Sequence, residues 1–146
     1  MAATVSLEAW LFSFLCGSPE LAALIGTRIY ENIAPQNATY PAVVYTIITG
    51  GGDYTMSDAT NQRTNLVQVS AWATSGTSRR AVADAVESRL SGLRGEHNGK
   101  AIQSVFLENE TDVFELSPGN ESLRLFGRHM DFEITHEINA QTRLTE

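Results

Sequence analysis

The chain has 146 residues, of which 42% are hydrophobic and 18% are charged. This length and composition predict one folded domain and exclude a collagen-like or intrinsically disordered chain. The 17 acidic and 10 basic residues give a formal net charge of −7. Because nucleic-acid backbones are bound by clustered Lys and Arg, this balance argues against a protein that grips DNA or RNA.

The one cysteine, Cys16, excludes an intrachain disulfide and is typical of a fold that needs no crosslink. The apolar run of residues 10–16 is too short to span a bilayer. No Lys or Arg precedes it and Glu8 lies beside it, so we expect neither a signal peptide nor a membrane partner.

Two short helices are predicted at the start of the chain. Ser6 is suited to cap the first helix, and Gly17 to end it. Ser18-Pro19-Glu20 combines a cap residue, a proline at the first helical position and an acid in the first turn, which predicts a second helix ending at Gly26. The apolar stripe of the first helix comprises Leu7, Trp10, Leu11, Phe14 and Leu15.

Three strands are predicted next, over residues 28–34, 42–49 and 64–73. The second is apolar or β-branched on both faces, which predicts a strand covered on each side. Gly50-Gly51-Gly52 is expected to break it. Residues 53–63 have no periodicity and many turn formers, so they predict a long exposed loop or a flexible hairpin.

The second half of the chain predicts a helix over residues 79–93 and a strand over 100–108 that continues after a bend over 109–116. A long last strand is predicted over 123–138. From Met130 its even positions are apolar, and Leu125 is out of phase with them, which predicts a bulge near Gly127.

The predicted element order is α, α, β, β, β, α, β, β. This order predicts an α+β fold, with a mostly antiparallel sheet and helices packed on one face. Residues 1–138 are expected to form a single domain, and residues 139–146 a polar C-terminal tail.

Signals for catalysis or for a cofactor are weak. His129 and His136 are seven residues apart on one predicted strand, so they should lie on opposite faces, and His97 lies in a glycine-rich loop. Asp131 and Glu133 share a face, where a solvated strand surface is the favoured interpretation. We predict no catalytic residue, no metal and no cofactor. A small metal-dependent hydrolase using these carboxylates and a histidine is the alternative.

Two segments are better suited to contacts with other proteins. The stretch 53–63 is long for a small domain and carries adaptable contact residues; its candidate interface residues are Asp53, Tyr54, Met56, Asp58 and Arg63. A second segment near the end of the predicted fourth strand is acidic and contains Glu108, Glu110, Asp112 and Glu115.

The order of segments is also informative. The helical opening ends in Leu-Ile-Gly-Thr-Arg-Ile-Tyr (24–30), and Tyr-Pro-Ala-Val-Val-Tyr (40–45) follows. Val-Gln-Val-Ser-Ala-Trp (67–72) precedes the helix with Arg-Ala-Val-Ala-Asp-Ala-Val (80–86), and the last strand ends Met-Asp-Phe-Glu-Ile (130–134). Over residues 7–138 this ordered series resembles the tail completion (tail terminator, head–tail joining) proteins of long-tailed bacteriophages and gene-transfer particles.

The resemblance implies a structural, non-enzymatic virion protein. Members of that family cap the finished tail tube as a ring, usually of six copies, stop tube growth and offer a docking face to the head. The expected partners are further copies of the chain, the tail tube protein and the head–tail connector or stopper protein. DNA would pass through the lumen without specific binding. The expected location is the head-proximal end of the tail, after synthesis in the host cytoplasm.

Within this interpretation the 53–63 stretch is expected to contact the tube, and the four acids to supply charge at the lumen or rim. The edge of the long last strand is expected to contact a neighbouring copy. A head-completion or minor tail adaptor that binds the connector is the alternative within the same class. A nucleic-acid-binding module is disfavoured by the charge.

Overall fold

The computed structural model describes residues 6–35, 38–54, 59–117 and 120–137, with side chains for 6–35, 38–48, 63–116 and 124–137. The predicted polar tail, 139–146, lies outside the described residues. Within the described ranges the chain forms three α-helices and one six-stranded sheet. The predicted α+β fold is therefore confirmed.

The helices are α1 (Leu7–Cys16), α2 (Pro19–Ile25) and α3 (Gly76–Leu90). The hydroxyl of Ser6 accepts a hydrogen bond from the amide of Ala9, and that of Ser18 from the amide of Leu21, at 3.2 Å each. Both predicted caps are confirmed, since each satisfies an amide that the first helical turn leaves unpaired. α3 begins three residues earlier than predicted, because Ser75 caps it through the amide of Ser78.

The strands are β1 (Ile29–Glu31), β2 (Ala42–Tyr54), β3 (Ala59–Ala73), β4 (Gly95–His97), β5 (Lys100–Ser117) and β6 (Asn120–Glu137). Their order across the sheet is β1-β2-β3-β6-β5-β4. The β1–β2 pair is parallel and every other pair is antiparallel. β6 thus lies between β3 and β5, so the expectation that its edge contacts a neighbouring copy is wrong for Phe126–Glu137, where β3 and β5 occupy both sides.

All three helices pack on one face of the sheet, as predicted. The apolar stripe of α1, with α2 and α3, covers alternate residues of the central strands. The strand residues of this core include Val43, Tyr45, Val67, Val69, Ala71, Val105, Met130, Phe132 and Ile134. At roughly 1.5–3 kcal/mol per large apolar side chain, their burial is the main driving force of the fold.

Polar contacts fix how the helices lie on this face. The Trp10 indole N–H donates to the carbonyl of His97 at 2.9 Å, which attaches α1 to the β4–β5 turn. The Tyr45 hydroxyl donates to the carbonyl of Glu8 at 3.2 Å, attaching α1 to β2. Arg89 of α3 donates to the carbonyl of Phe14 at 2.9 Å, and its guanidinium carbon lies 3.9 Å from the centre of the Phe14 ring.

β2 differs from the prediction at the glycine run. β2 continues through Gly50-Gly51-Gly52, which pair with Asn65, Thr64 and Arg63 of β3. The predicted break is wrong because the neighbouring strand supplies a continuous ladder, which compensates for the low strand preference of glycine. The sequence analysis also missed β4, which is only three residues long.

The bulge predicted near Gly127 is also wrong. The β3–β6 register is continuous from Gln62↔Glu137 to Ala73↔Phe126. Leu125 is out of phase with Met130 because it is buried on the face opposite the helices, at 2% exposure, beside Trp72 and Val44. Gly127 lies opposite Trp72, and a Cβ placed there would approach the indole Cζ3 to 2.5 Å.

In the described part of the chain, no helix alone has the length and apolar character to cross a membrane. α1 and α2 together have that length and apolar character, but the chain bends by 84° between the two helices.

Gly127→Ala is expected to destabilise the fold by about 1–3 kcal/mol, because the added methyl group overlaps the Trp72 ring. Urea unfolding measures this change. Gly76→Ala is the matched control, because the atom nearest its Cβ outside the helix backbone would be Nη2 of Arg79, at 3.9 Å. Equal stability of Gly127→Ala and the unsubstituted chain would contradict the close packing of Trp72.

Candidate interaction surfaces

The segment predicted as a contact loop is the outer end of the β2–β3 hairpin. Gly52 pairs with Arg63, and Tyr54 with Ala59. Asp53 and Tyr54 therefore lie in β2, and Arg63 is exposed in β3; Met56 and Asp58 lie outside the described residues. In the sheet, Gln62 pairs with Glu137, the last described residue of β6.

The four acids of β5 do not form one cluster. Glu110 pairs with Met130 and Asp112 with Arg128, which places both on the helix side of the sheet. Glu115 pairs with Leu125 and therefore lies on the opposite face. Glu108 lies in the register shift between Leu107 and Asn109. All four acids are exposed.

Asp112 differs from the other three because it is ion-paired. Its carboxylate lies 2.7 Å from Nε of Arg128 and 3.6 Å from Nη2 of Arg79. The hydrogen bond from Arg128 lowers the pKa of Asp112, and the same contact raises the pKa of Arg128. Two guanidinium groups offset this charge locally, so Glu108, Glu110 and Glu115 are the better candidates for a negative rim.

β5 also carries exposed apolar side chains that the sequence analysis did not single out. Phe106, Phe114 and Leu116 are 58%, 55% and 51% exposed. Phe114 packs edge-to-face on Phe126, with ring centroids 5.2 Å apart. The exposure of Phe106 follows from a register shift between Ile102 and Ser104, which sends Val105 rather than Phe106 to the core.

The face opposite the helices carries the histidine and carboxylates considered for catalysis. The Ser70 hydroxyl and Nδ1 of His129 are 2.6 Å apart, and the Gln68 amide donates to Asp131 at 3.3 Å. His129 also contacts the edge of Trp72. Among the described residues no group of three His, Cys, Asp or Glu side chains is arranged to hold a metal ion. The arrangement is a ladder of cross-strand polar pairs.

A small cleft of about 220 Å³ opens on the same face. Its floor is apolar, formed by Val44, Trp72 and Leu125, and Glu115 lies at its wall. The segment after β1, including Ile33, covers one side. This confirms that the start of β2 is covered on both faces, since Val43 and Val44 are both buried.

A buried polar cluster lies at the other end of the sheet and was not predicted. His136 is 3% exposed and its Nε2 lies 2.8 Å from Oδ1 of Asn65. Lys100, also 3% exposed, donates to the carbonyl of Glu137 at 3.3 Å. His129 and His136 lie on opposite faces, as the spacing predicted. Burial lowers the pKa of His136 to about 4, and the positive charge of Lys100 acts in the same direction.

Cys16 is a partly buried thiol on α1. Burial raises its pKa, which reduces the thiolate fraction and hence its nucleophilicity.

We predict that the free energy of unfolding decreases as the pH falls from about 6.5 to about 4. In this window the unfolded chain binds a proton at residue 136 that folded His136, with its pKa of about 4, does not bind. The loss attributable to His136 is about 3 kcal/mol. Urea unfolding across this range, compared with His136→Gln, should show a shallower pH dependence for the variant. An NMR titration in which folded His136 is protonated near pH 6.5 would contradict the prediction.

Comparison with known proteins gives two findings. A family model described as "Tail completion protein gp17" matches residues 9–137. A chain in a structure titled "Virion of native gene transfer agent (GTA) particle" is similar, with a TM-score of 0.69 and 16% identity over 90% of this chain and 95% of that one. At this identity the likeness shows a common fold. No curated protein matches the sequence.

Proposed function

The chain belongs to the tail completion protein gp17 family of bacteriophage virion proteins, and from that premise we propose that it caps the tail tube as a ring. In this proposal the ring ends polymerisation of the tube and forms the surface to which the head connector or stopper binds. The match of the family to residues 9–137, almost the whole described domain, is the observation that carries the proposal. The general role of a structural component of the virion follows from membership of this family.

Domain size supports a ring through which DNA passes. A compact domain of this length is about 38 Å across. Six such domains in a closed ring leave a central opening of roughly the same width, about 38 Å, before side chains and hairpins narrow it. A DNA duplex fits such an opening.

The charge supports passage without binding. The net charge of −7 per copy leaves few cations to replace the counterions of DNA. In a ring of like copies, Glu108, Glu110 and Glu115 would repeat around the circumference. We assign them to the lumen or rim. Because Glu110 and Glu115 lie on opposite faces of β5, those at the lumen would repel the DNA backbone and the others would lie at the rim.

The end of the β2–β3 hairpin is the surface we assign to the tail tube. Arg63 is exposed in β3 opposite His136, next to this end of the hairpin, in a chain with few basic residues. We propose a non-enzymatic role in which Asp53, Tyr54 and Arg63 contact the tail tube protein. Met56 and Asp58 belong to the same assignment.

Deletion of the gene from the source phage or prophage tests the cap. We expect filled heads without tails, beside separate tails of excess or variable length, in electron micrographs. Tails of normal length that fail to join would indicate the adaptor alternative and contradict the cap. Intact, infectious virions would overturn both structural roles.

Complementation of that deletion with Arg63→Glu tests the hairpin assignment. We expect at least about a tenfold loss of infectious particles, with urea unfolding confirming that the variant is folded, because Arg63 is an exposed side chain. Arg80→Glu, on the exposed side of α3, makes the same charge change elsewhere and should complement fully. Equal complementation by both variants would count against a tube contact at Arg63.

A further inference from the structure

Both edges of the sheet are covered only in part. β1 pairs with β2 at Val43–Tyr45, so no described strand lies beside residues 46–54, here named the β2 edge. β4 pairs with β5 at Lys100–Ile102, and the amide of Gly92 donates to the carbonyl of Val105 at 3.0 Å. No described strand lies beside residues 106–117, here named the β5 edge. Uncovered strand edges present backbone donors and acceptors that pair readily with another strand.

Exposed apolar side chains are concentrated on these two edges. Of the six large hydrophobic side chains that are exposed in the described part of the chain, four lie there. They are Ile48 on the β2 edge and Phe106, Phe114 and Leu116 on the β5 edge. Isolated edges are ordinarily protected by charge or proline. Residues 46–48 of the β2 edge have neither, and the β5 edge combines its acids with three exposed apolar side chains, which favours a partner at both edges.

Ile48 and Phe106 lie at the same level of the sheet. The cross-strand register runs Ile47↔Val67, Val67↔Phe132 and Phe132↔Leu107. Ile48 is the residue after Ile47, and Phe106 is the residue before Leu107. Because β2 and β5 run in opposite directions, these two steps lead the same way along the sheet. Two exposed apolar side chains, 48% and 58% exposed, thus mark matching positions on opposite edges.

The strand directions suit a side-by-side arrangement of copies. β2 is antiparallel to β3, β3 to β6, and β6 to β5, so β2 and β5 run in opposite directions. A second copy placed beside the first in the same orientation therefore brings its β2 edge antiparallel to the β5 edge. Antiparallel pairing is the more stable ladder.

Charge and shape favour this unlike pairing over pairing of like edges. Two β5 edges would bring Glu108, Glu110 and Glu115 of both copies together, whereas residues 46–48 of the β2 edge are uncharged. Beside Phe106 a cleft of about 380 Å³ opens between β5 and the segment that follows α3. It is large enough to receive the Ile48 side chain of the next copy.

We propose that copies of this chain join head-to-tail through residues 46–48 of the β2 edge of one copy and residues 106–108 of the β5 edge of the next, with Ile48 packed against Phe106 and its cleft. The two uncovered edges meet over this short stretch, because β1 covers β2 up to Tyr45, and β4 and the amide of Gly92 cover β5 up to Val105. The contact is heterologous, as ring closure requires. This contact rests on the proposed function, which supplies the ring, and it adds the two surfaces that meet between neighbouring copies.

Charge exchange at the two positions tests the contact. Ile48→Lys and Phe106→Asp each place a lone charge opposite an apolar side chain, so each variant alone should lower complementation of the gene deletion at least about tenfold. Co-expression of the two variants should restore it, because in rings where the two variants alternate every contact is either lysine to aspartate or isoleucine to phenylalanine. The double variant should also complement. Phe12→Asp, which changes an exposed side chain of α1, is the matched control and should complement fully.

Two other outcomes would overturn the contact while leaving the proposed function intact. Full complementation by both single variants would show that neither edge is needed. Assembly by Phe106→Asp alone, with loss only for Ile48→Lys, would indicate two-fold pairing of β2 edges. Circular dichroism and urea unfolding of each single variant confirm that it folds. Failure of the cap itself appears separately, as intact virions after the deletion.

Crosslinking tests the same contact directly in capped tails and in concentrated purified protein. In a Cys16→Ser background, which removes the native thiol, Ile48→Cys together with Phe106→Cys should give a ladder of crosslinked multimers with a short bismaleimide. Each single cysteine variant should remain uncrosslinked, because unlike edges meet. Dimers formed by a single cysteine variant, or no ladder with both, would overturn the proposal.

Discussion

The packing of α1 on one face of the sheet is the constraint on which the rest of the structure depends. Trp10 is fully buried there, stacked on Phe14, and its N–H is satisfied by a carbonyl of the β4–β5 turn. The hydroxyl of Tyr45 reaches the first turn of the same helix. Because a buried indole N–H without a partner is costly, these bonds fix the position of the helix as well as its depth. α2 and α3 then complete the same layer, and the opposite face and both sheet edges remain available for contacts.

This distribution of surfaces is typical of a protein that works by assembly. The polar side chains on the open face are engaged with one another across the strands: His129 with Ser70, and Asp131 with Gln68. The unengaged features are instead at the periphery, in the hairpin end near Arg63 and in the apolar side chains of the two edges. This division is compatible with membership of the tail completion family, whose members are structural components of the virion.

Local signals were sufficient for the helices and for the presence of most strands. The caps Ser6 and Ser18 act within three residues of the amides they satisfy, so tertiary context does not alter them. The predictions failed where a distant strand decides the outcome. Gly50–Gly52 has a weak preference for a strand, yet β3 pairs with it residue by residue. Leu125 is out of phase with Met130 because both faces of the sheet bury apolar side chains at that end, which no pattern along one strand reveals.

The sequence by itself determined the fold class, the α1 core stripe and the opposite faces of His129 and His136, because each depends on the 3.6- or 2-residue period of a single element. Only the tertiary structure decided which residues of β5 are exposed. The register shift against β6 between Ile102 and Ser104 reverses the alternation of side chains along β5, and the shift between Leu107 and Asn109 restores it. For this reason Val105, and not Phe106, enters the core. A one-residue slip against a partner strand reverses side-chain direction, and the partner is remote in the sequence.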